Sequence, residues 1–285
     1  MPSSTPLSDV LGGRIVGLDL AHPLTADQQT WLADTLHRHG FIVVKNQSLT
    51  AAQMVTFARS WGRPSPHVID TFHHPDDANI LVLSNVFKDG EPTGLVDAGT
   101  YFHTDYSYLE DVARCTILHA QDVPPAPNGT RFANQAKAYA DLPASMKDKI
   151  QGLVVKHHYG NRDDLNQRSR TVASVLNPDQ AKKVNWVRHP LVRKHPFTGQ
   201  PALYAVSGSA FGIEGMDDRD AMALIAELTE FAGQDRFVYK HVWETDDMLL
   251  WDNRCTMHVV TPHDPLERRV MHRTTIVGDG PVIAA

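Results

Sequence analysis

The chain has 285 residues, 42 % of them hydrophobic and 21 % charged, a balance that excludes a disordered polypeptide and leaves room for one large domain or two small ones. Its net charge of −6 with neutral histidines recommends neither nucleic acid nor an anionic membrane as a partner. Two cysteines, Cys115 and Cys255, permit neither a disulfide framework nor a cysteine zinc site, and they fit a reducing compartment.

The first residues, MPSSTPLSDVLGG, lack a basic region followed by an apolar core, so no secretory signal is read there. No apolar run approaches the roughly 20 residues of a membrane span. A cytoplasmic location is expected. Histidine stands out at 16 residues, which directs the search toward a His/carboxylate metal site.

In chain order, Thr25 can cap a helix that carries Trp31, Leu32 and Leu36 and stops near Gly40. Phe41–Val44 then reads as a short buried strand. Thr50 caps a second helix with Met54, Phe57 and Trp61, closed by Gly62 and Pro64. Residues 64–100 are rich in Pro, Asp, His and Gly, interrupted by the strand-like Ile80–Leu83, and are expected to form a mobile lid or loop. Strands are expected at Ala113–Ala120 and Thr130–Asn134, and helices near Gln135–Leu142 and Ala144–Leu153. The polar stretch 159–183 reads as a second lid. Further strands are expected at Leu191–Lys194, Ala202–Val206, Phe237–Trp243, Met248–Trp251 and Val270–Val277. One amphipathic helix interrupts them, starting near Asp217 and burying Ala221, Leu224, Ile225, Leu228 and Phe231. Many short strands, few helices and no composition break favour a single antiparallel sandwich or jelly roll, mainly β, with helices packed outside.

The chemistry starts at YFHTDYSYL, Tyr101 to Leu109. On a strand, His103 and Asp105 would point to one face and reach one metal ion. A third ligand is offered by His258, His263 or His272. His272 adjoins Arg273 and faces the other way on a strand, and His263 lies in a Pro-His-Asp-Pro turn. Two imidazoles and one carboxylate suit a non-heme Fe(II) oxygenase, and equally a zinc hydrolase. Arg273 lies 15 residues after His258 (273 − 258). If the two are on antiparallel neighbours, its buried guanidinium needs an anion, as the distal carboxylate of 2-oxoglutarate would be.

Four elements then carry a resemblance. They are His103-Thr104-Asp105; the NGTRF stretch with Thr130; Trp251-Asp252-Asn253-Arg254 followed by His258; and the run Arg268-Arg269-Val270-Met271-His272-Arg273. In order and spacing the sequence resembles the taurine / 2,4-dichlorophenoxyacetate dioxygenase family (TauD/TfdA) over most of its length. The resemblance implies a double-stranded β-helix of cupin type, with residues 1–285 as one dioxygenase domain. It implies Fe(II) held by His103, Asp105 and His258, with 2-oxoglutarate held by Thr130 and Arg273. O₂ is the oxidant, and ascorbate serves as reductant in vitro. Succinate and CO₂ are released as an aliphatic C–H is hydroxylated. Asp105 sets the chain apart from the related halogenases, which lack the carboxylate. Self-association into a homo-oligomer is also implied.

For substrate, the resemblance points to the segment after the second helix, GRPSPHVIDTFHH. His67 falls where taurine-type members meet a sulfonate. Asp70 departs from the pattern and would suit an amine or hydroxyl instead, or simply face solvent. Gly99 and Tyr101 would border the pocket, and Arg269 shares strand parity with Arg273, so it would point into the pocket and help hold an anionic substrate. VNWVRHPLVRKHPFTG, CTMH and IEG lean toward the aryloxyalkanoate branch, with an alkylsulfonate as the second reading.

Overall fold

The computed structural model of the chain describes residues 2–96, 98–159, 175–278 and 280–285. β1 (Ser3–Pro6) and β2 (Gly13–Val16) precede α1 (Ala26–His39), β3 (Phe41–Val44) and α2 (Ala51–Arg59). Next come β4 (Arg63–Ser65), β5 (His73–His74), β6 (Asp77–Ser84), β7 (Phe87–Lys88) and β8 (Glu91–Pro92). They lead to β9 (Ala113–Asp122), β10 (Gly129–Asn134), α3 (Gln135–Ala140), α4 (Ala144–Ile150) and β11 (Val154–His157). After these lie α5 (Pro178–Ala181), β12 (Val187–Pro190), β13 (Val192–Lys194), β14 (Pro201–Leu203), β15 (Ala210–Ile213) and α6 (Asp218–Ala232). The chain closes with β16 (Val238–His241), β17 (Met248–Asp252), β18 (Thr256–Thr261) and β19 (Val270–Val277).

The first two helices begin where the sequence places their caps. Thr25 and Thr50 each accept a hydrogen bond from the backbone N–H of a glutamine three residues on, whose side chain returns the favour. α1 stops at Gly40, where φ is +71° and the N–H bonds back to the Leu36 carbonyl.

A nine-stranded sheet runs β1-β2-β3-β17-β9-β19-β6-β5, with β4 also paired to β19. Within it β2–β3 is the parallel pair, and the others are antiparallel. Strand alternation sorts its residues between two cores. Ile42, Val44, Ile117, Met248, Leu250 and Ile276 face outward and pack beneath Leu32 and Leu36 of α1 and Met54 of α2. Phe41, Leu118, Leu249, Trp251 and Met271 face inward. There they meet Phe132 of the three-stranded sheet β16-β10-β18, whose ring stacks on Phe41 at 4.7 Å. Two sheets therefore enclose one interior, the mainly β sandwich the strand pattern predicts. Among the described residues no helix is long and apolar enough to cross a membrane.

One expectation is extended, one element was not anticipated and one expectation is corrected. The strand-like Ile80–Leu83 within residues 64–100 is part of a longer strand. β6 is an eight-residue strand seated beside β19, because Ile80–Leu83 supply apolar side chains to both faces. The N-terminal hairpin β1–β2 went unread, since Ser3–Pro6 is short, polar and mostly exposed. His258 and Arg273 are not on neighbouring strands. β18 pairs with β10 and β19 with β9, so the two residues face one another across the interior. The lid expected over 159–183 falls largely on residues 160–174, outside the described residues; within 175–183 lies α5, capped by Asn177.

Leu250 is wholly buried in the outer core. Leu250→Ala is expected to lower unfolding free energy by about 2–5 kcal/mol, whereas Leu266→Ala, at a side chain 92 % exposed, stays within about 0.5 kcal/mol. Urea denaturation of the two variants checks this.

Candidate active site

A cross-sheet contact builds the site. His103 and His258 form an isolated antiparallel bridge, the His103 N–H donating to the His258 carbonyl at 3.0 Å and the reverse bond spanning 2.9 Å. Strand β18 thus fixes the backbone of the His103-Thr104-Asp105 segment, which is not itself on a strand as expected. Tyr106 then takes a left-handed φ of 53°, turning the chain immediately after Asp105.

Donor atoms of His103, Asp105 and His258 lie within 4.8 Å of one another. The His103 Nε2 is 3.7 Å from Asp105 Oδ1, and the His258 Nε2 is 3.8 Å from Asp105 Oδ2. His103 Nδ1 donates to the Tyr101 carbonyl at 2.9 Å, which leaves the Nε2 lone pair facing the cluster. His258 is held by packing instead. Its ring lies against Trp251 at 4.7 Å and Phe132 at 5.9 Å, and its buried Nδ1 has no hydrogen-bond partner among the described residues. Two glycines make room for His103. A Cβ on Gly99 would sit 3.1 Å from His103 Cε1, and one on Gly208 would sit 2.8 Å from His103 Cβ. Both have positive φ.

The electrostatics suit a divalent cation. Burial and the neighbouring His103 push the His258 imidazole down to about 3, and burial also lowers His103. Burial alone would raise the Asp105 carboxyl, but Arg273 and the two imidazoles outweigh it and hold it below the usual range. At neutral pH the trio is two neutral imidazoles and one carboxylate, the protonation state that metal ligands require.

Beside the trio lies a small pocket lined among others by His103, His258, Trp251, Thr130, Arg269 and Arg273. Arg269 and Arg273 enter it together, as their shared parity predicts; His272 points away and packs on His74 at 4.9 Å. The two guanidiniums differ. Arg273 Nη1 donates to Asp105 Oδ1 at 3.2 Å. The Arg269 guanidinium has no hydrogen bond or ion pair among the described residues, and burial lowers its pKa to about 10. Thr130 Oγ1 accepts from the Trp243 indole at 3.0 Å, so its own hydroxyl proton remains to be donated.

On the other side of Arg273 stand His67, Tyr106, Tyr108 and Tyr159. The His67 ring lies 5.8 Å from Tyr106 and 5.7 Å from Tyr159, and Tyr108 packs on Tyr159 at 4.6 Å. His67 Nδ1 accepts from the Ile69 N–H at 3.1 Å, so a neutral ring carries its proton on Nε2. Burial and Arg273 keep it neutral.

Of the residues expected from sequence, His103, Asp105, His258, Thr130, Arg273, Arg269 and Gly99 come together here. Tyr101 contributes its carbonyl to His103 and its ring edge at 5.7 Å. Asp70 does not join them. It is exposed, and it accepts from Gln180 at 3.0 Å and Lys183 at 3.2 Å. Sequence reasoning missed the tyrosine wall, Gly208, and the part of Trp251, which lines the cavity as well as packing in the inner core. The aromatic richness of the stretch 101–108 was the available signal for the wall.

Residues 3–275 match the family model described as "Taurine catabolism dioxygenase TauD, TfdA family". The α-ketoglutarate-dependent 2,4-dichlorophenoxyacetate dioxygenase of Cupriavidus pinatubonensis is 30 % identical, over 98 % of this chain and 99 % of its own. The (S)-phenoxypropionate/α-ketoglutarate dioxygenase of Sphingobium herbicidovorans is 27 % identical over 96 % and 94 %. Among solved structures, AAD-2 in complex with Mn(II) and N-oxalylglycine superposes with a TM-score of 0.85 at 28 % identity, with full coverage of both chains. A taurine dioxygenase from Burkholderia xenovorans gives 0.80 at 29 % identity, covering 99 % of this chain and 91 % of that one.

The depressed imidazoles predict a flat pH response. Two ordinary histidines of pKa near 6.5 would weaken divalent-metal binding about tenfold between pH 7.5 and 6 through proton competition. Here the change is expected to stay under about twofold, measured by Mn(II) titration at the two pH values.

Proposed function

The chain belongs to the TauD/TfdA family of 2-oxoglutarate-dependent dioxygenases, and on that footing we propose that it hydroxylates an aliphatic C–H of a small aryloxyalkanoate-like acid. The observation that carries this reading is the pair of unlike guanidiniums beside the His–Asp–His trio. His103, Asp105 and His258 would hold Fe(II). When bound, the iron with 2-oxoglutarate and O₂ supplies the oxidising chemistry, releasing succinate and CO₂ and delivering one oxygen atom to the substrate carbon.

The chain's own residues bind and orient. We assign the distal carboxylate of 2-oxoglutarate to Arg269 and Thr130, reversing the sequence expectation for the two arginines. Arg269 is the half-buried cation with no anionic partner among the described residues, and Thr130 lines the same cavity with a hydroxyl proton to give. Arg273 already donates to Asp105 and adjoins the phenols, so it suits an anion arriving next to the metal. There the substrate carboxylate meets the Arg273 fork and the His67 Nε2–H, while Tyr106, Tyr108 and Tyr159 offer faces and edges to an aryl ring. An alkylsulfonate would satisfy the same charge without using those aromatic walls. The amine or hydroxyl substrate suggested by Asp70 loses its basis, since that carboxylate is engaged elsewhere.

Succinate release with Fe(II), ascorbate and 2-oxoglutarate in air tests the reading, across aryloxyacetates, 2-aryloxypropionates and alkylsulfonates. An aryloxyalkanoate is expected to stimulate release most, and a sulfonate that stimulates more would overturn the substrate class. Arg269→Ala is expected to raise the KM for 2-oxoglutarate roughly 100-fold, the loss of one buried charge-assisted pair. Arg273→Ala is expected to leave that KM within about threefold and to abolish stimulation by the acid. The opposite pattern would return the arginines to their original assignment.

A further inference from the structure

We infer that Thr116 and Asn253 are positioning residues for the Asp105 carboxylate, acting through a closed hydrogen-bond relay that begins and ends on Asp105. The inference rests on the metal-site reading above. It concerns two residues that touch neither the cavity nor the other ligands of the trio.

Asp105 needs such a device. It sits in a turn after the His103 bridge, so no strand pleat dictates where its side chain points. It is also 4 % exposed, so water cannot do the work. The relay supplies it from β9, which carries Thr116, and from the turn after β17, which carries Asn253; Thr116 stands opposite Trp251, two residues before Asn253. The Asp105 backbone N–H donates to Asn253 Oδ1 at 3.2 Å. Asn253 Nδ2 donates to Thr116 Oγ1 at 2.9 Å. Thr116 Oγ1 donates to Asp105 Oδ2 at 2.7 Å. Thr116 and Asn253 are fully buried.

Each link fixes the next. The Trp251 indole N–H also donates to Asn253 Oδ1, at 3.2 Å. Two N–H groups therefore face that atom, which must be the oxygen, and the amide cannot flip without setting donor against donor. With its orientation set, the amide nitrogen occupies one lone pair of the Thr116 oxygen. The single hydroxyl proton is then directed at Asp105. A chain of this kind polarises each successive donor, so the hydroxyl is a better partner for a carboxylate than a free threonine would be. Oδ2 is thereby held toward His258 Nε2, and Oδ1 is left to Arg273 and His103. Without the hydroxyl, Arg273 becomes the main anchor of the carboxylate and can draw it off the position between the imidazoles.

The test is metal affinity of the full chain, read with Co(II) under anaerobic conditions by its visible absorption, beside denaturation of the metal-free protein. Thr116→Val keeps the shape and removes the donor. It is expected to weaken Co(II) binding 10- to 100-fold, the usual range for losing a hydrogen-bond partner of a metal ligand, and to alter the absorption envelope. Thr116→Ser restores the donor and is expected to bind within about threefold of wild type. Should Thr116→Val fail to fold, Thr116→Ala carries the same expectation. A merely structural role would lower the denaturation midpoint and leave affinity and spectrum unchanged, and that result would overturn the inference. If wild type itself binds no Co(II), the metal-site reading falls and the inference with it.

Discussion

A carboxylate buried in the interior is the constraint around which this structure is arranged. Removing an ionised Asp105 from water is costly unless every lone pair is met and the charge is countered. The protein meets it from all sides. Arg273 arrives from β19, Thr116 from β9, and His258 from the facing sheet, while Asn253 receives the backbone N–H. The bridge between His103 and His258 brings the turn close enough for these contacts to form. The same groups serve a second end. A carboxylate kept ionised beside two imidazoles kept neutral presents a cation with one unit of negative charge, and the His103 Nε2 lone pair faces the same point.

Strand geometry fits the division of labour proposed for the arginines. Positions 269 and 273 are four residues apart, so alternation turns both into the interior, and at about 3.3 Å per residue their backbones lie roughly 13 Å apart. That spacing lets one strand end serve two anions without forcing the guanidiniums together. The inner face of the large sheet thus carries its charges in a row, with Met271 between them packed in the aromatic core. Phe132 and Trp251, whose bulk fills that core, also set the plane of His258. One set of packed rings closes the sandwich and orients a ligand.

Much of this was legible in the sequence, for reasons that can be named. The helices at Ala26 and Ala51 announce themselves by cap and box, and the strand at Val270–Val277 by its β-branched residues. The clustering of His103, Asp105 and His258 was legible because the motif spacing is specific. The position of His103 and Asp105 on a turn was not, since a two-residue spacing reads as a strand whether or not a partner strand exists. The roles of the two arginines are not legible in the sequence, because parity says which face a side chain takes and nothing about which anion is already there. Asp70 was misread for a related reason. Its partners Gln180 and Lys183 lie over a hundred residues away, and only the fold brings them together.

A second cluster shows why residue types alone do not define a metal site. His195, Asp252 and Cys255 also place their donor atoms within 4.8 Å of one another. Yet Asp252 is taken by Arg254, which donates to both of its oxygens at 2.7 and 2.6 Å. His195 Nδ1 accepts from the backbone N–H groups of Phe197 and Thr198, so its proton sits on Nε2 and is given to Asp252 at 3.0 Å. Burial raises the Cys255 thiol far above its ordinary value, which keeps it protonated. Every lone pair a cation would seek is therefore committed, and a full guanidinium charge lies against the only carboxylate. At Asp105 the balance differs, because His103 turns a lone pair toward it, His258 Nδ1 has no hydrogen-bond partner among the described residues, and Arg273 holds one oxygen by a single longer bond. What separates a binding site from a structural knot in this protein is where the protons are, and those positions are set by backbone donors and strand register.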